Sequence, residues 1–486
     1  MRPQDAFFLH VETPNIPQHV CGIATIDPTL PDGRRLSLED VRSAVAERLG
    51  ELPRFRQRLA TPLLALARPA WIDAQDVDVR FHVRGVAVAP PGGQSELAAI
   101  VGELIARRID RSKPLWEIYL IEGLEGGRVG FMLKLHHAIA DGLGGISIAR
   151  TLLDATPEMP SGDLVRWQAQ PAPRPLSLFA GTLGQQAAGP VRLIAEAVRD
   201  TLEAPGPTLR RAGKVAVGLW KLARAGSAPG SPLNRPVGPV RRFAPIAFDL
   251  AAAKRIRLAF GATPNDLVLA TMAGALERYF LRRADLIPSR PLRAMVPVSV
   301  RAQGRRGLAG NWTTAYSIDI SLEPISARDR LAGIASATKA RRQSAEPLAA
   351  RFVMSVVGTW LPRPLHALAA RLMYRDKWFN LIVSTMPGAS RPAYLAGARL
   401  LVGYPILPLA EGVGLTVGAM TWEGKLTLGL TVDPTIVPDL ELLAGAVRES
   451  FDELAAAAET QLPLWRKEEP SRGNVRTSAS AGDSSA

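Results

Sequence analysis

Two adjacent histidines, followed closely by an aspartate and several glycines, are the residues of this chain whose types and spacing best suit acid–base chemistry. They occur in LKLHHAIADGLGG, residues 133–145 of a 486-residue chain that contains six histidines in all. A neutral imidazole accepts a proton near pH 7, and a nearby carboxylate can orient the imidazole or hold the loop that presents it. His136, His137 and Asp141 are therefore candidate residues of a general acid–base site.

The strand-like run before the histidines predicts that their side chains point in opposite directions. Successive side chains of a β-strand alternate between two faces, so RVGFMLKLHH at 128–137 divides into two sets. One set contains Val129, Phe131, Leu133, Leu135 and His137, and the other contains Met132, Lys134 and His136. Because only His137 continues an apolar face, we expect its ring to be partly desolvated and largely neutral near pH 7. The two histidines are thus predicted to have different tasks.

The residues after the histidines indicate a tight turn that leads into a helix, GISIARTLL. Asp141 could cap this helix, pair with an arginine such as Arg301, or hold the backbone of the loop that presents His137. Gly142, with the glycines at 144 and 145, would allow the close approach of a ligand or unusual backbone angles. Zinc binding by the two histidines and Asp141 is disfavoured, because neighbouring strand residues point apart and no further ligand cluster exists. No metal is expected.

The composition excludes several classes of protein. With 47% apolar and 21% charged residues, the chain is that of a globular protein, and its length predicts more than one domain. The single cysteine, Cys21, excludes an internal disulfide and is interpreted as a buried thiol and not as a nucleophile. The first residues do not resemble a signal peptide, and no uncharged apolar run approaches about 20 residues. We therefore expect a cytoplasmic protein without membrane spans.

The sequence pattern divides the chain into two α/β units joined by a long connecting segment. Residues 1–155 and 246–465 alternate strand and helix patterns, whereas residues 156–245 are rich in proline and glycine. Residues 466–486 are small and polar and are expected to be disordered. In the second unit, strands are predicted at LRAMVPVSV, AYSIDISL, NLIVSTMPG, GLTVGAM and KLTLGLTV. A helix is predicted at NDLVLATMAGALERYFLRR, with Asn265 or Asp266 favouring its start.

Positive charge is concentrated in the connecting segment. Residues 205–245 contain eight basic residues and no acidic residue, against a net charge of +14 for the whole chain. Helices are predicted at 191–204 and 209–226, and the second combines Trp220 with five of the basic residues, which suits the surface of an anionic membrane. The alternative is a helix packed on the body of the protein with a solvated basic face. Binding of nucleic acid is suggested by charge alone, without a recognisable motif, and is not expected.

HHAIADG closely resembles the HHxxxDG motif of the bacterial wax ester synthase/diacylglycerol acyltransferase family, a branch of the CoA-dependent acyltransferases that share the chloramphenicol acetyltransferase fold. The resemblance continues in order along the chain. It includes PQDAFFLHVETPNIPQHV (3–20), PRFRQRL (53–59), DRSKPLWEIYLIEGLEGGR (110–128), PLNRPVGPVRRFA (232–244), GATPNDLVLA (261–270), VPVSVR (296–301), GN (310–311), NLIVSTMPG (380–388) and VDPTIVPD (432–439). STMPG departs from the family, in which an asparagine often follows the serine, and this bears on substrate preference more than on reaction type.

The resemblance implies an α/β fold of two chloramphenicol acetyltransferase-like domains with mixed sheets and an active-site tunnel at their interface. It implies acyl transfer from acyl-CoA, as co-substrate and without a further cofactor, to diacylglycerol in triacylglycerol synthesis or to a long-chain alcohol in wax ester synthesis. By motif, His137 would be the general base and Asp141 the structural partner of its loop, and His136 and Gly142 would complete the motif. Asn265 would help to stabilise the oxyanion, or it would only cap its helix.

Several interpretations stay open. A related acyltransferase could use a non-lipid acceptor or a carrier-bound acyl donor, and a non-catalytic relative could bind lipid only. For lipid substrates, we expect peripheral association with the inner face of the membrane or with lipid inclusions through the connecting segment. Residues expected to pack or to line the tunnel are PLWE at 114–117 and Asn380, Ser384 and Gly388. Residues expected to have core or surface positions are His10, His19, His82 and His366.

Overall fold

The computed structural model describes residues 1–61, 68–158, 167–299 and 313–461, with gaps inside 175–204 and 345–360 and at residues 225 and 286. Several predictions concern residues outside this set. They are those for Arg301, for the GN pair at 310–311, for the tail from 466 onward and for much of the helix at 191–204.

Helices and strands alternate along most of the described chain. The helices are α1 Pro3–Val11, α2 Leu38–Arg48, α3 Val79–His82, α4 Gln94–Ala106, α5 Gly142–Leu152, α6 Pro205–Arg224, α7 Leu250–Phe260, α8 Pro264–Arg282, α9 Ala327–Gln343, α10 Arg363–Met373 and α11 Leu440–Glu459. The strands are β1 His19–Asp27, β2 Gln57–Ala60, β3 Ala70–Asp73, β4 Val83–Ala87, β5 Trp116–Glu122, β6 Val129–His136, β7 Arg242–Asp249, β8 Leu292–Ser299, β9 Thr313–Ile320, β10 Leu381–Ala389, β11 Tyr394–Leu395, β12 Ala398–Ile406, β13 Leu415–Trp422 and β14 Lys425–Val432.

Two six-stranded mixed sheets organise the molecule. The first has the strand order β11-β12-β1-β6-β5-β4, and the second has the order β7-β14-β13-β10-β8-β9. Parallel pairs occur in both, β4 with β5 in the first and β10 with β8 and β13 in the second. These sheets confirm the predicted α/β fold with mixed sheets. All five strands predicted in the second unit are present, and the predicted helix is α8.

β6 brings the two histidines to the end of the first sheet. Val129, Phe131, Leu133 and Leu135 enter one core cluster, whereas Met132 enters the cluster on the other face of the sheet. The predicted alternation is therefore confirmed along β6. The strand ends at His136, so His137 lies in the turn that follows and not in the strand as the sequence predicted. The chain turns there because the N–H of Ile139 donates to the carbonyl of His136 at 2.9 Å.

The second sheet is covered by long helices, of which α8 is the most enclosed. Nearly every side chain of α8 from Asn265 to Phe280 is buried, against α9, α11 and the second sheet. Its start differs in detail from the prediction, because Thr263 is the N-cap and forms a reciprocal capping box with Asp266. Within the described part of the chain, no helix combines the length and the apolar character needed to cross a bilayer.

Candidate active site

His137 lies on the wall of a large cavity. The cavity has a volume of about 950 Å³ and is lined by residues of both sheets. The His137 ring stacks on Phe8 of α1, with ring centroids 3.6 Å apart and an interplanar angle of 11°. Its backbone N–H donates to the carbonyl of Gln18 at 2.7 Å. These contacts hold a half-buried imidazole at a fixed position beside a space that can hold a ligand.

His136 has a different environment, as predicted. Its side chain is fully buried and is not part of the cavity wall. Nδ1 accepts a hydrogen bond from the N–H of Ala138 at 3.0 Å, so the ring proton belongs on Nε2, which lies 3.5 Å from Oε2 of Glu12. Burial lowers the pKa of His136, and Glu12 only partly opposes that effect. His136 is therefore a neutral ring that links the turn to a buried carboxylate.

Glu12 is the centre of a buried charged cluster behind the turn. Arg111 donates to its Oε2, Arg108 lies 3.8 Å from the same atom, and His19 Nε2 lies 3.8 Å from Oε1. Burial alone would raise the pKa of Glu12, but His136, Arg111 and His19 outweigh it and hold the pKa well below its usual range. Glu12 is thus an anion that contacts His136 directly.

This cluster was missed in the sequence. The prediction that His19 has an ordinary core or surface position is incomplete, because β1 and β6 pair so that His19 lies opposite His136. HVETPNIPQHV contained both Glu12 and His19, and its acidic and basic residues in an apolar setting were the available signal. Phe8 was missed as well, since nothing in the sequence places α1 against residue 137.

Asp141 holds the other end of the turn. It is the N-cap of α5, and its Oδ1 accepts a hydrogen bond from the N–H of Gly144 at 2.8 Å. The predicted helix cap is confirmed. The carboxylate is buried, and Asp141 also lines the cavity together with His137 and Gly142. The structure therefore brings three of the five predicted site residues onto one wall, while their catalytic tasks stay predictions.

The opposite wall comes from the second sheet. Ser384, Thr385 and Met386 of β10 line the cavity across from the turn. A Cβ built on Gly142 would lie 2.4 Å from Sδ of Met386, so the absence of a side chain allows α5 and β10 to approach. The sequence suggested that Gly142 allows a ligand to approach closely. In the structure, β10 of the second sheet is the element that approaches Gly142.

Asn265 lies behind this wall. Its side chain is buried and is not part of the cavity lining, and its Oδ1 accepts a hydrogen bond from the hydroxyl of Thr385 at 3.3 Å. The interpretation that Asn265 caps α8 is wrong, because Thr263 accepts the capping hydrogen bond from Asp266. Participation of Asn265 in oxyanion stabilisation stays a prediction, and its link to the cavity runs through Thr385.

Other predicted packing residues lie where expected. Trp116 of PLWE stacks on Phe55, with centroids 4.3 Å apart, and donates its indole N–H to the Phe55 carbonyl at 2.9 Å. Asn380 is buried and accepts from the N–H of Arg293 at 2.7 Å, which ties β10 to β8. Burial raises the pKa of the Cys21 thiol to about 12, which fits the interpretation of a buried, unreactive thiol.

The arrangement suits proton transfer inside an apolar site. Phe7, Phe8, Val20, Met295 and Ile382 are among the lining residues, so most of the wall is apolar around one imidazole. Among the described residues, no group of three or more His, Cys, Asp or Glu side chains is arranged to hold a metal ion. A histidine in such a place can, when its ring is unprotonated, deprotonate a hydroxyl group bound beside it.

Two mixed sheets that share a histidine-bearing cavity define the chloramphenicol acetyltransferase-like fold expected from the motif. The family model of the wax ester synthase/diacylglycerol acyltransferase catalytic domain matches residues 1–268, and that of the family's C-terminal domain matches residues 309–455. The chain therefore belongs to the wax ester synthase/diacylglycerol acyltransferase family, as HHAIADG predicted, and is an O-acyltransferase.

Relatives match along nearly the whole chain. A putative diacylglycerol O-acyltransferase of Mycobacterium tuberculosis is 32% identical over 463 residues, which cover 94% of this chain and 90% of the relative. A probable diacylglycerol O-acyltransferase of the same species is 30% identical over 463 residues, which cover 94% and 99% of the two chains.

Solved structures share the fold. The wax ester synthase/diacylglycerol acyltransferase from Marinobacter aquaeolei VT8 is 24% identical, with a TM-score of 0.64 and coverage of 94% of this chain and 99% of that one. The first condensation domain of the calcium-dependent antibiotic synthetase is 16% identical, with a TM-score of 0.61 and coverage of 94% and 95%.

Proposed function

We propose that the protein transfers a long-chain fatty acyl group from acyl-CoA to the hydroxyl group of diacylglycerol, of a long-chain alcohol, or of both. The products are triacylglycerol and wax ester. The observation that carries this proposal is the position of His137, half-buried on the wall of an apolar cavity of about 950 Å³. That volume is at the upper end of the range of about 300–1,000 Å³ found for small-molecule sites, as a long acyl chain requires. The names of the Mycobacterium relatives support the same acceptor.

In the proposed mechanism, His137 removes the proton from the acceptor hydroxyl as its oxygen attacks the thioester carbonyl. The tetrahedral oxyanion then collapses, the C–S bond breaks, and the CoA thiolate takes the proton back from the imidazolium. No covalent acyl-enzyme is needed, because the thioester is already activated. Phe8 and Gln18 fix the ring and backbone of His137, and Asp141 fixes the turn. Asn265 would act on the oxyanion through Thr385, which lies between it and the cavity.

We infer that the enzyme meets its lipid substrates at an anionic surface, the membrane or a lipid inclusion, to which α6 binds peripherally. Leu209, Val217 and Trp220 are each more than half exposed on α6. Arg210, Lys214 and Lys221 are exposed beside them. Replacing these three basic residues by glutamine should weaken co-sedimentation with anionic vesicles, and unchanged co-sedimentation would refute the inference.

The substrate assignment is tested by offering two acceptors side by side. Purified protein is incubated with radiolabelled palmitoyl-CoA and either hexadecanol or dioleoylglycerol, and the labelled lipids are separated by thin-layer chromatography. We expect labelled wax ester, triacylglycerol or both, with stoichiometric release of CoA. Labelled product only with a carrier-protein thioester, only with a water-soluble acceptor, or not at all would contradict the proposal.

A further inference from the structure

We propose that α10 is a lipid-docking helix, which lies with α6 beside the opening of the cavity and seats that opening on an anionic phospholipid layer. The inference rests on the proposed function for its substrate. It extends the lipid-binding surface from the basic connecting segment to a helix in the second half of the chain. The surface is defined by Leu365, Leu368 and Leu372, which are called the leucine ridge below.

The leucine ridge is an apolar face that points to solvent. Its three residues are 51%, 55% and 51% exposed. Their spacing of three and four residues places them on one side of the helix. His366 and Ala370 lie on the other side and are buried against α1. A helix of a soluble domain ordinarily turns its leucines inward, so a contiguous outward ridge marks a site of interaction.

Charge identifies the partner as an anionic surface. α10 contains no acidic residue, and α6 contains five basic residues and no acidic residue. The two arginines of α10, Arg363 and Arg371, lie toward α1 and are not counted in this surface. Lys377, just after α10, is exposed next to Trp378. Exposed leucines close to Lys377, to an interfacial tryptophan and to the basic helix α6 fit the headgroup and upper acyl region of an anionic lipid layer. The carboxylate of Asp376, next to Lys377, is paired with Arg375 at 3.4 Å, so positive charge remains in excess on this surface. A protein partner with an apolar groove would satisfy the leucines but would not account for this excess.

The same two helices border the cavity that holds His137. Met373, Tyr374 and Trp378, at and after the end of α10, line the cavity, and so does Leu219 of α6. The carbonyl of Lys377 accepts a hydrogen bond at 2.8 Å from the N–H of Ala228, which joins the segments that follow the two helices. Trp378 lines the cavity and is 38% exposed, so the wall continues to the surface beside the ridge. A lipid could thus pass from the layer into the cavity without crossing water.

The experiment compares the leucine ridge with other exposed leucines. The variant Leu365→Ser/Leu368→Ser/Leu372→Ser is tested by vesicle flotation with phosphatidylcholine vesicles, with and without phosphatidylglycerol. The matched control is Leu258→Ser/Leu281→Ser, on α7 and α8, whose leucines are 73% and 57% exposed and do not line the cavity. We expect the ridge variant to bind anionic vesicles about tenfold or more weakly, and the control to bind like the wild type.

Folding and assembly are measured on the same samples. Circular dichroism and the unfolding temperature should be unchanged in the ridge variant, because exposed leucines contribute little to stability. Equal vesicle binding by ridge variant and wild type would overturn the proposal. A ridge variant that keeps vesicle binding but changes the sedimentation coefficient would assign the ridge to a second copy of the chain. Because the vesicles contain no acceptor, the result stands even if the protein makes no ester.

Discussion

At the scale of residues, the two neighbouring histidines differ in their surroundings. His137 stacks on Phe8 and borders the cavity, whereas His136 is enclosed with Glu12 behind the turn. The alternation of a strand was sufficient to predict that the two rings differ. It could not reveal Glu12, because the contacts of this carboxylate join the end of α1 to β1, β6 and the segment before β5, which the chain brings together only on folding.

Glu12 should position the turn that presents His137. In Glu12→Gln the shape is kept but the charge that faces His136 and Arg111 is lost, and we expect a loss of about 1–3 kcal/mol of stability. We also expect kcat to fall about tenfold with little change in KM, since the turn would no longer be held in one position. Steady-state kinetics with palmitoyl-CoA and urea denaturation measure the two effects.

The matched control is Glu117→Gln. Glu117 is a buried carboxylate that pairs with Lys134 of β6 at 3.0 Å and does not contact His136 or the cavity. This variant should lose stability to a similar degree and keep its kcat. If kcat falls equally in both variants, Glu12 supports the fold only, and its assignment as a positioning residue fails.

At the scale of elements, the active site depends on the contact between α5 and β10. Gly142→Ala would place a Cβ 2.4 Å from Met386 Sδ, so the Met386 side chain, or one of the two elements, must shift. We expect about 1–3 kcal/mol of destabilisation and a fall in activity. Adding Met386→Ala removes the clashing atom and should restore part of both losses, which a double-mutant cycle detects. Simple additivity of the two substitutions would contradict the proposed contact.

The packing of α10 on α1 should make stability depend on pH. The rings of His10 and His366 lie 5.1 Å apart, and burial lowers the pKa of His10 to about 3 and that of His366 to about 4. The charged groups that lower the pKa of His10 further are His366, Arg363, Arg371 and Arg111, and Arg68 lowers that of His366.

The sign of this dependence follows from the direction of the pKa shifts. The unfolded chain binds these protons below about pH 6.5 and the folded chain does not, so stability falls as the pH drops from about 6.5 toward 4. His366→Leu removes one of the two titrations and should reduce the loss between pH 7 and pH 4.5 by on the order of 2 kcal/mol. Urea denaturation at both pH values measures it. An equal loss in variant and wild type would show that other groups cause the dependence.

Helices and strands could be predicted where the local sequence pattern alone favours one structure. KLTLGLTV coincides with β14 because a short, β-branched, apolar run between turn residues favours a buried strand. α10 was not predicted, since its pattern of leucines, alanines and arginines does not show which side is buried. The start of α8 was placed near Asn265 and not at Thr263, because several residues there can all cap a helix and only the fold selects one.

At the scale of the whole molecule, the halves of the chain are joined by more than the connecting segment. β12, from the second half of the sequence, lies in the first sheet beside β1, with Cys21 opposite Ile406. Sequence patterns cannot show such an exchange, because strand pairing over this separation is decided by the whole fold. The assignment of residues 246–465 to a second domain stays a prediction. β12 also packs against β13 and β14 of the second sheet, so it joins the two sheets that line the cavity.

The central claim is that His137, in this cavity, takes the proton from the acceptor hydroxyl. It is tested most directly by the rate of ester formation from palmitoyl-CoA and the better of the two acceptors, with purified His137→Ala shown by circular dichroism to be folded. We predict a loss of about 10²- to 10⁴-fold in kcat, and a smaller loss for His136→Ala. Ester formation by His137→Ala at the wild-type rate would contradict the claim.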